Sequence, residues 1–474
     1  MLLASVSLLV IYKVAPGVRK WWRAGPVPGV PFLSCFVHIK RLQQLLKEWM
    51  EEKKAFSGWY SMWLGFDFTL LTADPEVAQW VLKNSDLTKT GVVGVPKEFI
   101  HTFGKNLLMS NGEDWKRQRS VINSGFRSEA YKGYYPTFNE VIEKCLTKFH
   151  QLPEGCDLDI SFYFSKFTLD LLGKSIFHYD FNTLDSDYNP YYDAYRTIIT
   201  AGGQLNRLLV EAVPGWSHFP FLMPKRFKDS TQIMKQLFKR VIEDHKQGNY
   251  NDVLDALLQS QAVDHKLSET EMYSNIWIFF AAGHETTSNA LSWAFAELAD
   301  KQDLQERLYE HILDVFPSGT PSIESILDPP ALLNGFIKEN LRHHPPVTFI
   351  PIRRTARELL CGNQIIPAGS RVGVDVWAIH HNPNHWEDPN LFDPERFLPE
   401  RRRGKHKFSF LPFGLGPRQC IGNEFSEIEQ RLFLVKFMRE FKVLPPLHHP
   451  KADLDKLPNF GESFPVYVRL QKRE

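Results

Sequence analysis

Cysteine is scarce in this sequence, and its few cysteines show no pairing. The 474 residues contain five, Cys35, Cys145, Cys156, Cys361 and Cys420. An odd number at scattered positions indicates free thiols in a reducing compartment rather than a disulfide framework. A zinc site at Cys420 is also disfavoured, because no other cysteine stands within ligand spacing of it.

The sequence has neither a large excess of one sign of charge nor a flexible linker. Lys and Arg total 56 against 55 Asp and Glu, so the composition gives no reason to expect nucleic acid as a partner. No Gly/Ser-rich or low-complexity stretch divides the chain, which makes one large domain admissible. With 43% hydrophobic and 13% aromatic residues, such a domain can bury a large core.

The N-terminus has an apolar run that is short for a membrane span. Residues 2–12 are apolar or small, whereas a spanning helix needs roughly 20 apolar residues. The basic residues follow the run instead of preceding it, which suits a cytosolic-side anchor better than a cleaved signal peptide, and Trp21 and Trp22 suit the membrane interface. A stiff proline-rich hinge follows at 26–31. We therefore predict that residues 1–31 form an anchor and hinge.

The most informative stretch is the ten-residue segment 413–422, FGLGPRQCIG. Its glycines and proline predict a tight loop, and apolar residues at helical spacing begin at Ile421, so we expect Cys420 at a helix N-terminus. The helix dipole there favours a thiolate, the form of cysteine that binds metal. The glycines let the backbone approach a flat group, and Arg418 can pair with a carboxylate. These features suit a metal on a large acidic cofactor; a buried structural cysteine is the alternative.

A second informative stretch is a long predicted helix. Ser268 and Glu271 have the spacing of a capping box, and the chain from there to Ala299 contains no proline and one glycine. In its middle, segment 282–287, AGHETT, changes abruptly from small to polar residues. Small residues let a flat cofactor lie against a helix, and a hydroxyl beside an acid can carry protons inward. The alternative is a local kink in which Thr bonds back to a carbonyl.

Two residue pairs have helical spacing. Trp115 and Arg119 share one helix face, a pattern typical of a packed aromatic beside a solvated cation. Glu339 and Arg342 are neighbours on another helix, where most such pairs are exposed and contribute about 0 to 1 kcal/mol. Neither pair identifies a site by itself.

Three further segments complete the coarse secondary structure. Residues 62–71, rich in Phe, Leu and Thr, predict a strand pair, and 365–372 predict a hairpin. Residues 89–106 are too irregular for one element and predict a long loop with an apolar lining.

These motifs, in this order, resemble the cytochrome P450 family of haem-thiolate monooxygenases, in its membrane-bound eukaryotic form. Segment 413–422 resembles the family's haem-binding loop position by position, and segment 282–287 resembles its oxygen-activation motif. The resemblance covers nearly the whole chain. It implies the mainly α-helical cytochrome P450 fold with a small β-sheet domain, in a catalytic domain of residues 32–474.

The resemblance also implies a haem b site with Cys420 as the axial iron ligand. The cofactor-binding positions that it indicates are Trp115, Arg119, Arg353, Phe413, Arg418 and Cys420. Arg354 competes with Arg353 as a propionate partner, because a one-residue shift in a strand exchanges the side chain that faces inward.

Three further groups of residues receive roles from the resemblance. Glu285 and Thr286 would be the catalytic acid and alcohol, and Glu339, Arg342 and Arg396, the last within a Pro-Glu-Arg-Phe motif, would form a buried structural network. The positions of a substrate cavity would be Phe99, Phe103, Ile276, Phe280, Thr348, Phe349 and Phe464.

The implied function is insertion of one oxygen atom from O2 into a hydrophobic small molecule such as a lipid, sterol or xenobiotic. Electrons would come from NADPH through NADPH-cytochrome P450 reductase or another donor. The expected protein is a monomer on the cytosolic face of the endoplasmic reticulum membrane, with the mitochondrial membrane as an alternative. The prolyl segment 213–224 would roof the cavity, and the basic run 401–407 is either solvated or a docking surface for an acidic donor.

Two other functions stay open. One is a P450-type isomerase or dehydratase that rearranges a peroxide without a reductase, although the presence of both Glu285 and Thr286 argues against it. The other is a haem-binding carrier or sensor without turnover.

Overall fold

The computed structural model describes most of the chain, and helices are its main element. The described residues are 58–64, 67–90, 104–186, 188–200, 225–246, 248, 250, 252–262, 266–317, 320–454 and 465–473, together with 15, 18–20 and 22–24. In them we number fourteen α-helices: α1 Pro75–Lys83, α2 Gly112–Ile122, α3 Ser128–Gln151, α4 Ile160–Ile176, α5 Pro190–Thr200, α6 Lys225–His245, α7 Val253–Ala262, α8 Glu269–Asp300, α9 Gln302–Val315, α10 Ile323–Leu327, α11 Ala331–His343, α12 Val376–His380, α13 Pro399–Arg402 and α14 Asn423–Glu440.

The strands of the described residues are short and form three small sheets. They are β1 Trp59–Leu64, β2 Asp67–Thr72, β3 Leu87–Lys89, β4 Leu158–Asp159, β5 Arg353–Thr355, β6 Leu359–Cys361, β7 Gln364–Ile366, β8 Arg371–Val374, β9 Phe441–Leu444 and β10 Tyr467–Lys472. The sheet orders are β1-β2-β8-β5-β3, β4-β10-β9 and β6-β7. This arrangement of many helices and small sheets is the predicted fold class.

One strand prediction is confirmed and one is wrong. The pair predicted over 62–71 is β1 and β2, which run antiparallel. The hairpin predicted over 365–372 does not form, because β7 pairs with β6 while β8 pairs with β2 and β5. Between β7 and β8, Pro367 has no N–H to give to a ladder, and Gly369, at φ 73°, turns the chain into another sheet.

The long helix predicted from the capping box is confirmed as α8. The Ser268 side chain accepts the Glu271 N–H, and the Glu271 carboxylate accepts the Ser268 N–H. Helix α4 packs along α8, and the Leu172 side chain of α4 contacts α8 at Gly283. A Cβ at that position would stand 2.6 Å from Cδ1 of Leu172, so a larger residue there would require the Leu172 side chain to move.

The described part of the predicted anchor contacts the β6–β7 hairpin and its flank. Lys20 Nζ donates to the Gly369 carbonyl at 2.8 Å, and Gln364 Nε2 donates to the Ala24 carbonyl at 2.7 Å. Within the described residues, no helix combines the length and the hydropathy that crossing a membrane requires. The domain boundary at residue 31 lies outside the described residues and stays a prediction.

Candidate active site

The segment that carries Cys420 is a closed loop ahead of helix α14. Gly414 and Gly416 have φ values of 67° and 85°, which only glycine adopts without strain. The Cys420 N–H donates to the Phe413 carbonyl at 2.9 Å, which folds the loop back on itself. Because α14 begins at Asn423, Cys420 lies just before a helix N-terminus, as the spacing predicts.

The electrostatics of Cys420 differ from the expectation of a stabilised thiolate. The side chain has accessible surface but is surrounded by protein, so it borders an internal cleft rather than the outer surface. Burial raises the pKa of the Cys420 thiol, and this outweighs the opposing effects of the Gly422 N–H, Arg119 and Lys89. The helix end therefore does not by itself make the thiolate the favoured form. Binding to a metal ion would do so, because coordination deprotonates a thiol.

Four cationic side chains surround this cleft, and we call Lys89, Arg119, Arg353 and Arg418 the cation cluster. Burial, followed by repulsion from Arg418 and Arg353, lowers the pKa of Lys89 to about 7. Burial lowers the pKa of Arg353 and of Arg418 to about 10. Arg353 Nη1 donates to the Val81 carbonyl at 2.6 Å, but its Nε and Nη2 are buried without a hydrogen-bond partner. Such a cluster is costly unless an anion pairs with it.

Trp115 and Arg119 lie at the same cleft beside the Cys420 loop. The Arg418 guanidinium lies over the Trp115 ring, 4.3 Å from its centroid, as a cation–π contact. Arg119 Nη1 donates to the Gln419 carbonyl at 3.1 Å. Helix α2 thus brings both predicted residues against the Cys420 loop. Of the two rivals on β5, Arg353 is the buried one, and Arg354 is partly exposed.

Helix α8 offers one partly open face in its otherwise buried middle. Ala282, Gly283 and Thr286 are only partly buried, while Ala281, His284, Glu285 and Thr287 are buried. Thr286 is a neighbour of both Ala282 and Gly283 on the helix surface, four and three residues away, so this is the face that a flat group can lie against. The Thr286 hydroxyl donates to the Ala282 carbonyl at 3.0 Å, as in the predicted alternative, and α8 stays a continuous helix.

Glu285 points away from that face, towards helix α5. Its side chain is buried, and Oε2 accepts a hydrogen bond from the Tyr195 hydroxyl at 2.5 Å. The structure therefore gives the two predicted catalytic neighbours, Glu285 and Thr286, different surroundings. Sequence reasoning missed Tyr195, because nothing distinguishes it from the other tyrosines of α5.

Glu339, Arg342 and Arg396 lie together in the interior, and we call them the carboxylate network. Arg342 donates to both Glu339 oxygens, at 2.7 Å each, and Arg396 Nε lies 3.4 Å from Oε1 of Glu339. Arg342 and Arg396 also donate to backbone carbonyls of residues 387–391. Each charge therefore has partners, and α11 is held to the segment that leads towards the Cys420 loop.

His380 extends the carboxylate network to that loop. Its carbonyl accepts from Arg342 Nη1 at 2.9 Å, and its Nε2 accepts the Leu411 N–H at 2.7 Å. Burial lowers the pKa of His380 to about 3, so the ring is neutral and Nε2 can accept. Leu411 lies two residues before Phe413. The ring was not predicted, because no local pattern marks it.

Four of the seven predicted cavity residues lie in the described part of the chain, and their role stays a prediction. Phe99, Phe103 and Phe464 lie outside the described residues. Phe280 is fully buried and packs against Tyr195 and other aromatic rings, on the side of α8 that faces α5 and α6, and Ile276 is fully buried too. Thr348 and Phe349 are partly buried, and their backbones contact the start of α12.

These residues fit a flat, dianionic, metal-bearing cofactor such as haem. Cys420 offers a soft ligand atom inside the cleft, and the cation cluster offers unpaired N–H groups to carboxylates. Lys89 lies in the same cluster as Arg119, Arg353 and Arg418. The sequence did not predict Lys89 as a site residue, because it stands alone at the end of β3.

Comparisons with known proteins agree with this geometry. The family model described as Cytochrome P450 matches residues 25–462. Similar curated proteins include Cytochrome P450 4F8 of Homo sapiens, 28% identical over 419 residues, which are 82% of this chain and 79% of that protein. Cytochrome P450 3A11 of Mus musculus is 26% identical over 472 residues, 94% of this chain and 90% of that protein.

A solved structure shows the same fold. The crystal structure of the cytochrome P450DA heme domain aligns with a TM-score of 0.78 at 21% identity, over 95% of this chain and 98% of that one. The predicted fold, mainly α-helical with small sheets, is confirmed.

Proposed function

Since the chain belongs to the cytochrome P450 family, we propose that this P450 monooxygenase inserts one oxygen atom of O2 into a hydrophobic small molecule, using electrons from NADPH through a reductase. The substrate class is that of lipids, sterols or xenobiotics. The single observation that supports the proposal most is the accessible Cys420 thiol set among four cations in the interior.

The proposed cofactor is haem b. Cys420 would bind its iron, and Arg119, Arg353 and Arg418 would hold its propionates, with Trp115 stacked on Arg418. When bound, haem supplies the dioxygen chemistry, and a thiolate ligand favours O–O cleavage. Phe413 contributes its carbonyl, which holds the Cys420 backbone in the loop.

Proton supply is the task that the chain's own residues perform. We assign Glu285 the role of taking up protons and Thr286 that of presenting a hydroxyl on the open face of α8. The Thr286 hydroxyl donates a hydrogen bond to the Ala282 carbonyl, so its oxygen can accept a hydrogen bond from a group on that face. A positioned acid of this kind contributes about 10² to 10⁴-fold in rate.

The partners are proposed from the same family. An electron donor, NADPH-cytochrome P450 reductase or another protein, would dock at the exposed residues Arg403, Lys405 and Lys407. The other two cations of the basic run 401–407 contact residues of the fold. Arg401 forms an ion pair with Asp393, and Arg402 lies over three aromatic rings. A monomer on the endoplasmic reticulum membrane, attached through residues 1–31, stays the proposed form.

Reconstitution tests this function against its rivals. Product formation that requires both NADPH and a reductase is expected, and the reduced protein with carbon monoxide should show the red-shifted Soret band of thiolate ligation. Cys420→Ala should lose both, whereas Cys156→Ala, which removes another partly exposed thiol, should keep both.

The contrary outcomes separate the alternatives. Product from a peroxide without a reductase would favour the isomerase, and a haem-loaded protein without turnover on any of a lipid and sterol library would favour a carrier. A thiolate spectrum retained in Cys420→Ala would remove that residue as the ligand.

A further inference from the structure

Tyr195 holds Glu285 through a hydrogen bond between two buried side chains from different helices. The phenol of α5 donates to Oε2 of Glu285 on α8 at 2.5 Å. Burial, followed by the nearby Glu285 charge, raises the pKa of Tyr195 well above its usual value, so the phenol stays protonated and acts as a donor. The ring is also fixed by packing, with its centroid 4.8 Å from that of His284 and 5.5 Å from that of Phe280.

The pair borders a small polar cavity between α4, α5 and α8. Hydroxyl groups line it from all three helices, at Ser161 and Ser165 on α4, Tyr192 on α5 and Ser288 on α8. Two of them are already linked, since Ser165 Oγ donates to the Tyr192 hydroxyl at 2.7 Å. The cavity has room for about one water molecule.

His284 and Arg196 are the two basic side chains that line this cavity. Burial lowers the pKa of His284 to about 4, so the ring is neutral, and Nδ1 donates to the Phe280 carbonyl at 2.6 Å. Arg196 also lines the cavity and supplies a positive charge beside the carboxylate. Hydroxyl groups, a neutral ring and one cation form surroundings that can hold a water molecule and a carboxylate together.

Glu285 therefore extends from α8 into this cavity, on a different side of the helix from its chain neighbour Thr286. It shares the cavity with Ser288, one turn further along the helix, while Thr286 lies on the face formed with Ala282 and Gly283. A buried polar cluster costs free energy unless its groups pair or act. Here a cavity suited to water is lined by Glu285, the acid that we propose supplies protons.

We propose that Tyr195 is a positioning residue that holds the Glu285 carboxylate in the hydroxyl-lined cavity, and that protons reach Glu285 through this cavity. The inference rests on the proposed function, because it assumes that Glu285 supplies protons during turnover. In each turnover the cavity water receives a proton from solvent as it passes one on to the Glu285 carboxylate, so the water is left neutral, and Glu285 then passes its proton towards the Thr286 side of α8. Without the phenol, the carboxylate is no longer held at the water, so proton supply slows while electron supply continues.

Tyr195→Phe tests this, because it removes one hydroxyl and keeps the packed ring. We expect normal haem content, a several-fold rise in hydrogen peroxide formed per NADPH consumed, and a larger solvent deuterium isotope effect on product formation. The matched control is Tyr60→Phe, since the Tyr60 hydroxyl donates to Oδ2 of Asp375 at 2.5 Å in an equally buried pair elsewhere. The control should leave the peroxide ratio and the isotope effect unchanged.

A readout independent of turnover is the melting temperature of the haem-loaded protein. Tyr195→Phe, Glu285→Gln and the double variant form a cycle, and the double variant should fall by clearly less than the sum of the two single losses. Additive losses would show that the hydrogen bond is absent in solution and would overturn the proposal.

The outcomes distinguish the inference from the function beneath it. If Thr286→Ala raises the peroxide ratio but Tyr195→Phe does not, the role of Tyr195 is wrong and the monooxygenase proposal stands. If the wild type shows no NADPH-dependent turnover with any reductase, both proposals fail. A rise in the peroxide ratio in Tyr195→Phe, with no such rise in Tyr60→Phe, supports the positioning role.

Discussion

Two clusters of basic side chains, the buried carboxylate network and the partly buried cation cluster, differ in how their charge is balanced. In the carboxylate network, Glu339 accepts two hydrogen bonds from Arg342 and forms an ion pair with Arg396, and other donors of both arginines reach backbone carbonyls, although Arg396 Nε has no hydrogen bond. In the cation cluster, burial lowers the pKa of Lys89 and of Arg353, and donors of Arg353 lack partners. The first cluster thus contains its own carboxylate, whereas no carboxylate contact is observed for the second among the described residues. The difference separates the residues of the carboxylate network from the residues that we propose bind a cofactor.

The largest effect is expected from breaking the carboxylate network. Arg342→Ala leaves Glu339 buried with only part of its charge compensated, which should cost about 3 to 5 kcal/mol of unfolding free energy. Arg307→Ala is the control, because the Arg307–Glu395 pair is exposed, with side chains 56% and 46% accessible, and such a pair contributes about 0 to 1 kcal/mol. Urea unfolding of the haem-loaded variants measures both. Equal losses in the two variants would contradict the structural role.

A smaller effect is expected in the cation cluster, and it should appear in cofactor affinity instead of folding. Arg353→Gln removes unpartnered donors, so haem affinity should fall by about 1.5 to 3 kcal/mol, roughly 10- to 150-fold, while the haem-free protein keeps its stability. Haem dissociation rates and melting temperatures with and without haem provide the measurement. Arg354→Gln, one residue along the strand, should change affinity little; a larger loss there would make Arg354 the partner.

The smallest effect concerns Lys89 and pH. Its pKa in the haem-free fold is about 7 against 10.5 for the free side chain, so the unfolded chain binds the extra proton between these values. Unfolding free energy of the haem-free protein should therefore rise with pH above 7, by at most about 1.4 kcal/mol between pH 7 and 8. Lys89→Met should remove that slope, and Lys105→Met, at an exposed position, should keep it. An unchanged slope in Lys89→Met would place the titration elsewhere.

Several features of the site could be predicted because their signals are local. The capping box sets the start of α8 within one turn of helix, and the glycines of the Cys420 loop stand where the backbone needs a positive φ. Glu339 and Arg342 meet because residues three apart share a helix face. Such rules depend only on neighbours in the chain.

Other predictions failed because a local pattern does not specify which distant segment packs or pairs with it. Residues 365–372 have the composition of two strands, yet each strand pairs with a different segment. The position of Cys420 before a helix follows from the spacing, whereas the raised pKa of its thiol does not, because burial depends on everything packed around the loop. The assignment of Cys420 as a thiolate ligand stays a prediction.

The sequence by itself determined the motifs, their order and the family to which they belong, since these lie in short stretches of chain. Only the tertiary structure decided which side chains meet across long separations. Tyr195 and Glu285 are 90 residues apart, and Lys89 reaches the Cys420 loop only because β3 pairs with β5. Burial and charge act through space, so a lone tyrosine, lysine or histidine acquires its role from neighbours that the linear chain does not place beside it.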